Sequence, residues 1–202
     1  MDTIYREVFE QAAAGIAIVN ADHSFRYVNP ALCRMLGYTR SELLQLTVKD
    51  ITHPDDLVEE RKFTEKVRTA EISDFSIEKR YIHKDGHAVW VQLYSSVKRD
   101  VAGNLEYAIG TVFDITKRKA VERQQQLDRL RFQSMFEENP AGILLLEVTG
   151  SRDEGTDDLL VKAVNPALAQ IYQAPIEVMV GKSLTALYPE LRLPGDEAPG
   201  AA

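Results

Sequence analysis

An α+β chain built on one antiparallel sheet is what the sequence predicts, followed by a linking helix and a second, smaller unit of the same kind. Three observations point there. The segment FEQAAAGIAIV at residues 9 to 19 returns as FEENPAGILLL at 136 to 146, and each copy leads into VNPAL, at 28 to 32 and 164 to 168. Stretches of period-two alternation bounded by turn residues mark strands, and capping residues at fixed offsets mark short helices between them.

In the first copy, Ile16 and Ile18 alternate with Ala17 and Val19. A break at residues 20 to 23 then leads to Phe25, Tyr27 and Asn29 alternating with Arg26 and Val28, which predicts a two-stranded hairpin. Asn29 is a good N-cap and Pro30 suits the first helical position. Leu32, Met35 and Leu36 fall on one face before Gly37 stops the helix. Thr39 and Glu42 have capping-box spacing for another short helix. A longer amphipathic helix is expected from about residue 55 to 70, with Phe63, Val67 and Ala70 on one side.

The rest of this copy reads as β. Residues 75 to 83 alternate, Lys84, Asp85 and Gly86 turn the chain into 89 to 97, and a second turn with Asp100 and Gly103 leads to 105 to 113. Five antiparallel strands covered on one face by helices follow. Residues 117 to 135 contain neither Gly nor Pro and predict one helix. A 3-4 spacing there picks out Ala120, Arg123, Leu127, Leu130 and Ser134, a partly apolar seam suited to a marginal parallel coiled coil and hence a homodimer.

In the second copy Phe136 lies 127 positions after Phe9, but Asn165 lies 136 after Asn29. The nine extra residues fall in GSRDEGTDD at 150 to 158, a lengthened hairpin loop. No counterpart of the three strands from 75 to 113 follows. The expected organisation is a first domain at 1 to 116, a linking helix at 117 to 135, a partial second domain at 136 to 194 and a disordered tail at 195 to 202.

Composition narrows the function. Hydrophobic residues make up 45% and charged residues 27%, as in globular chains, and a net charge of -7 leaves little basic surface for nucleic acid. A single Cys33 excludes an intrachain disulfide, and no signal-peptide layout or membrane-length apolar run is present. A cytoplasmic location without direct membrane insertion is expected. No nucleophile elbow, phosphate-binding loop or HExxH accompanies the Ser, His and Asp residues, so the chain reads as non-catalytic. His23, His53, His83 and His87 fall at turns or strand ends. His83 and His87 flank one hairpin turn, but two imidazoles alone make a poor metal site, and no metal is expected.

Tyr27-Val28-Asn29-Pro30-Ala31, Leu36-Gly37-Tyr38, His53-Pro54-Asp55-Asp56, Glu78-Lys79-Arg80-Tyr81, Lys84-Asp85-Gly86, Val89-Trp90-Val91 and Asp114-Ile115-Thr116 succeed one another in this order. In that order the chain resembles the PAS domain, in its sensory-box type with the C-terminal PAC extension, and the second copy resembles a truncated PAS unit. The resemblance implies a sheet in the order 2-1-5-4-3 with a pocket between sheet and helices.

Carried over by position, pocket candidates are Ile18, Tyr27, Asn29, Leu32, Leu36, Leu46, Ile51, Phe63, Val67, Tyr81, Trp90, Leu93 and Ile109, which either surround a small apolar ligand or fill a dry core. A signal relay is implied at Arg80, Trp90, Asp114, Ile115 and Thr116, with Ala120, Leu127 and Leu130 on the dimer helix. Cofactor identity stays open. The haem subgroup's histidine is missing from residues 55 to 70, and Cys33 lacks the neighbours of the photoreceptor motif. The implied role is a signal-transduction sensor that relays its state to an output domain such as a histidine kinase or diguanylate cyclase. The alternatives are a ligand-free dimerisation module and a haem or flavin sensor.

Overall fold

In the computed structural model, residues 3 to 149 and 158 to 187 are described. The tail expected at 195 to 202 and the loop at 150 to 157 lie outside the described residues. The chain divides into two compact units, with the division after Arg123.

The first unit opens with helix α1 (Thr3–Gln11), which the alternation pattern did not foresee, and continues into strands β1 (Gly15–Asn20) and β2 (Phe25–Val28). Helices α2 (Pro30–Leu36), α3 (Arg40–Leu43) and α4 (Val48–Ile51) follow. A 3-10 turn (Pro54–Asp56) then enters α5 (Leu57–Arg68). The meander is β3 (Asp74–Ile82), β4 (Ala88–Arg99) and β5 (Leu105–Asp114), and helix α6 (Thr116–Glu137) leaves from it. The five strands are antiparallel in the order β2-β1-β5-β4-β3. One face of this sheet packs on the helices through Leu32, Leu36, Leu43 and Ile51 against Ala17, Val28, Ile77, Val91, Leu93 and Val112. The other face leaves Tyr27, Tyr94, Ile109 and Phe113 substantially exposed.

Local chemistry fixes the connections. The Asn29 carboxamide accepts the Leu32 N–H at 3.0 Å to cap α2 and the Ile16 N–H at 2.8 Å, and it donates to the Ala14 carbonyl at 2.9 Å. One buried side chain therefore ties the helix start to the β1 entry. Gly37 ends α2 in the left-handed region (φ +73°), and Thr39 and Glu42 form the expected capping box. Helix α5 ends earlier than expected, at Arg68. Ala70 lies beyond it, exposed and at positive φ, so it is not part of the packed face.

The second unit repeats this plan in part. Strands β6 (Leu144–Thr149) and β7 (Asp158–Val164) form a two-stranded sheet, followed by α7 (Pro166–Tyr172), α8 (Ile176–Met179) and α9 (Leu184–Leu187). Its core consists of Val161, Val164 and Met179 with partly buried neighbours such as Leu144 and Leu168.

Candidate functional site

A cavity of about 180 Å³ opens between the inner sheet face and helices α2, α4 and α5 of the first unit. Its wall combines Ala17, Val19, Leu32, Ile51, Val67, Leu93 and Val112 with polar groups from Glu60, Thr64 and Ser95. Tyr81 also lines it, and burial pushes its phenol well above the ordinary range, which keeps it neutral. Gly110 belongs to the wall because β5 passes close to Leu93: a Cβ there would sit 3.2 Å from Leu93 Cδ1.

Glu60 in this wall belongs to a buried ion pair. Lys79, with no exposed side-chain surface, donates to the Glu60 carboxylate and to Thr52 Oγ1 at 3.3 Å, and its ammonium stands 4.5 Å from the Tyr81 ring centroid. Burial pulls the Lys79 ammonium below its ordinary pKa, opposed by Glu60. Thr52 in turn donates to the Val48 carbonyl at 2.8 Å, so α4, α5 and β3 are fastened at one point beside the cavity. Glu60 and Lys79 were not among the sequence-derived candidates. The available signal was a lysine in the inward phase of β3, between Ile77 and Tyr81.

Of the pocket candidates, Leu32, Ile51, Val67, Tyr81 and Leu93 line the cavity. Leu36, Leu46 and Phe63 belong to the surrounding core, Phe63 stacked on Phe75 at 5.2 Å, and Asn29 is the buried cap already described. Four candidates are misplaced. Ile18, Tyr27 and Ile109 form a cross-strand row on the opposite face of the sheet, where Ile18 pairs with both others. Trp90 also faces that side, while its neighbours Val89 and Val91 point inward. In β1 both phases are apolar, so alternation gave no hand. In β2 a bulge opposite Ile18 and Val19 turns Phe25 and Val28 inward and Tyr27 outward.

The outer face carries the exit from the sheet. The Ile115 N–H donates to the Trp90 carbonyl at 2.9 Å, and the Trp90 N–H donates to Thr116 Oγ1 at 3.1 Å. Asp114 Oδ1 accepts the Thr116 N–H at 2.8 Å, so its carboxylate serves the helix start rather than Arg80 or the Trp90 side chain. Arg80 is instead engaged by Asp56 at 2.6 Å and Asp55 at 3.2 Å. Its guanidinium lies 5.4 Å from the Trp90 ring centroid, and Lys119 Nζ approaches the same ring at 5.3 Å. Glu78 on β3 meets Lys119 at 2.5 Å and Arg118 at 2.6 Å, and these hydrogen bonds hold its carboxyl below the usual range. Glu78, Arg118 and Lys119 were missed as relay partners because their pairing joins elements 40 residues apart.

Comparison with known proteins identifies the architecture. Residues 25 to 112 match the PAS fold family and residues 130 to 201 match the PAS domain family. Both units are PAS units. Over 131 residues the chain is 36% identical to the probable diguanylate cyclase DgcE of Escherichia coli, a match covering 64% of this chain and 12% of that protein. It is 25% identical over 127 residues to the sensor histidine kinase TmoS of Ectopseudomonas mendocina, covering 63% and 13% respectively. The chain thus spans about an eighth of the length of these relatives. A sensory box histidine kinase/response regulator from Burkholderia thailandensis shares the fold with a TM-score of 0.52 at 21% identity, covering 64% of this chain and 97% of that one.

PAS domains are regulatory modules, and the enzymatic relatives carry further domains beyond the matched region. The helix α6 that leaves the first PAS unit has no buried residue, and Leu127, Leu130, Phe132 and Met135 are 40% to 71% exposed. Ala120, Arg123 and Ser134 of the expected seam are exposed as well. Among the described residues, no helix is long and apolar enough to cross a membrane.

Proposed function

We propose that the first PAS unit senses a small, largely apolar molecule in the cavity beside Glu60 and Lys79, and passes its state through Trp90 and Thr116 into α6. The observation that carries this reading is continuity. Strand β4 contributes Leu93 to the cavity wall and, three residues earlier, Trp90 to the helix start. A change in cavity occupancy that shifts β4 against β5 acts directly on the hydrogen bonds to Ile115 and Thr116. The uncovered apolar residues of α6 suit pairing with a second copy, so a homodimer would present the signal to an output domain of the kind found in diguanylate cyclases and histidine kinases. In this reading the chain itself is non-catalytic and works in the cytoplasm, with no nucleic-acid partner.

Native mass spectrometry of the purified chain tests this. A retained small molecule that leaves on denaturation supports the sensor and identifies the ligand. A bare dimer that also takes up no apolar probe points to the second reading, a ligand-free dimerisation module, which the exposed helix face favours. A bare monomer that binds no probe contradicts both.

A further inference from the structure

The turn between β3 and β4 assembles a feature that neither the cavity nor the exit uses. His83, Asp85 and His87 place one donor atom each within 4.8 Å of one another. The two imidazoles stack with centroids 4.3 Å apart, and Asp85 Oδ1 stands 2.9 Å from His83 Nδ1 and 2.5 Å from His87 Nδ1. The hairpin fixes this arrangement, since the His83 N–H donates to the His87 carbonyl at 2.8 Å and holds the two side chains in register.

His83 is further oriented by its surroundings. Its Cε1 and Nε2 edge rests on Gly37, where a Cβ would come within 2.3 Å, so Nδ1 is the nitrogen turned toward Asp85. The same Nδ1 accepts the Asp85 N–H at 3.2 Å. Both imidazoles therefore reach the same carboxylate oxygen at hydrogen-bond distance, and the three donor atoms converge on one point of the turn.

We propose that His83, Asp85 and His87 form a three-ligand site for a divalent transition-metal ion, with zinc as the reference ion. Two imidazoles and one carboxylate match the donor preferences of zinc, and a three-ligand set leaves a fourth position open to water. Tetrahedral coordination at ordinary zinc bond lengths separates donors by about 3.4 Å, so the two carboxylate–imidazole spacings open by less than about 1 Å, within reach of side-chain rotation. Calcium and magnesium, which take all-oxygen shells, are disfavoured by the two nitrogens. Because the Lys84 N–H donates to the Leu36 carbonyl at 2.9 Å and His83 packs on Gly37, the ion would brace the turn against the end of α2.

Calorimetric titration of the full chain with zinc decides the matter. One saturable, low-micromolar site is expected, weakened at least about tenfold by His87→Ala and by Asp85→Asn. His87 and Asp85 are exposed, so both variants should retain the metal-free melting temperature of the parent. Substitutions His23→Ala, His53→Ala and Cys33→Ser should leave the affinity unchanged. Absence of saturable binding at about 100 µM zinc overturns the proposal. So does an affinity that survives His87→Ala, or one that disappears with Cys33→Ser.

Discussion

Asn29 and Asn165 make the same bonds in two units of very different completeness. Each accepts from the helix N–H three residues on, at 3.0 Å in both, and from an isoleucine N–H at the entry to the first strand, at 2.8 Å in both. Each also donates to a carbonyl upstream of that strand, Ala14 at 2.9 Å and Ala141 at 2.8 Å. The glycines beside them are needed for the same reason, since a Cβ on Gly15 or Gly142 would approach a leucine Cδ1 to 3.0 or 2.4 Å. In the first unit, however, β1 pairs with β5 as well as β2, whereas β6 pairs with β7 alone among the described residues. Residues close in sequence set the start of a PAS unit, and the meander completes its cavity and its core.

The comparison is broken most severely at Lys79, which has no counterpart among the described residues of the second unit. Lys79→Met leaves the Glu60 charge buried without a partner and should destabilise the first unit by about 3–5 kcal/mol. The double change Lys79→Met with Glu60→Leu should recover most of that loss. Urea denaturation followed by the fluorescence of Trp90, the only tryptophan, reads the first unit alone.

The positions that end α2 and α7 come next. Gly37 and Gln173 both adopt left-handed backbone, at φ +73° and +52°. Gly37→Gln adds both backbone strain and a clash with His83 and should cost about 2–4 kcal/mol in the same assay. Gln173→Gly should instead raise the stability of the second unit by about 1 kcal/mol or less, measured by hydrogen exchange in residues 158 to 179.

Removing the shared latch sharpens the comparison. Asn29→Ala strands the buried Leu32 N–H and the Ile16 N–H and should cost the first unit about 1–3 kcal/mol, whereas Asn165→Ala should leave the Trp90-detected transition unchanged. The smallest effect concerns acid. Hydrogen bonds from Lys84 and then Thr39 lower the Glu42 carboxyl from 4.5 to about 2. Its contribution is therefore complete above about pH 4.5 and fades as the pH falls through about 2. Glu42→Gln should flatten the fall in stability across that interval, read by denaturation at stepped pH.

Much of this architecture was legible in the sequence because it depends on short-range chemistry. Asn29 before Pro30, Thr39 with Glu42, and the Lys84-Asp85-Gly86 turn each announce one local geometry, and the strand order came with the PAS resemblance. Sidedness was harder. Where Ile16, Ala17, Ile18 and Val19 are all apolar, period two cannot say which pair faces the helices, and the bulge in β2 carried Tyr27 with it to the wrong face. The Glu60 and Lys79 pair was hidden because its partners lie 19 residues apart on different elements. The approach of His83 to His87 is readable from their places on either side of one hairpin turn.

Hydrogen exchange on the whole chain carrying Thr116→Val tests most directly whether sheet and outgoing helix act as one connected path. The change keeps the side-chain shape and removes the acceptor for the Trp90 N–H. Exchange at Trp90 and across residues 116 to 123 should accelerate about five- to tenfold, while Ala17, Leu93 and Val112 around the cavity keep their protection. Unchanged exchange in α6, or an equal acceleration throughout the sheet, would contradict the path.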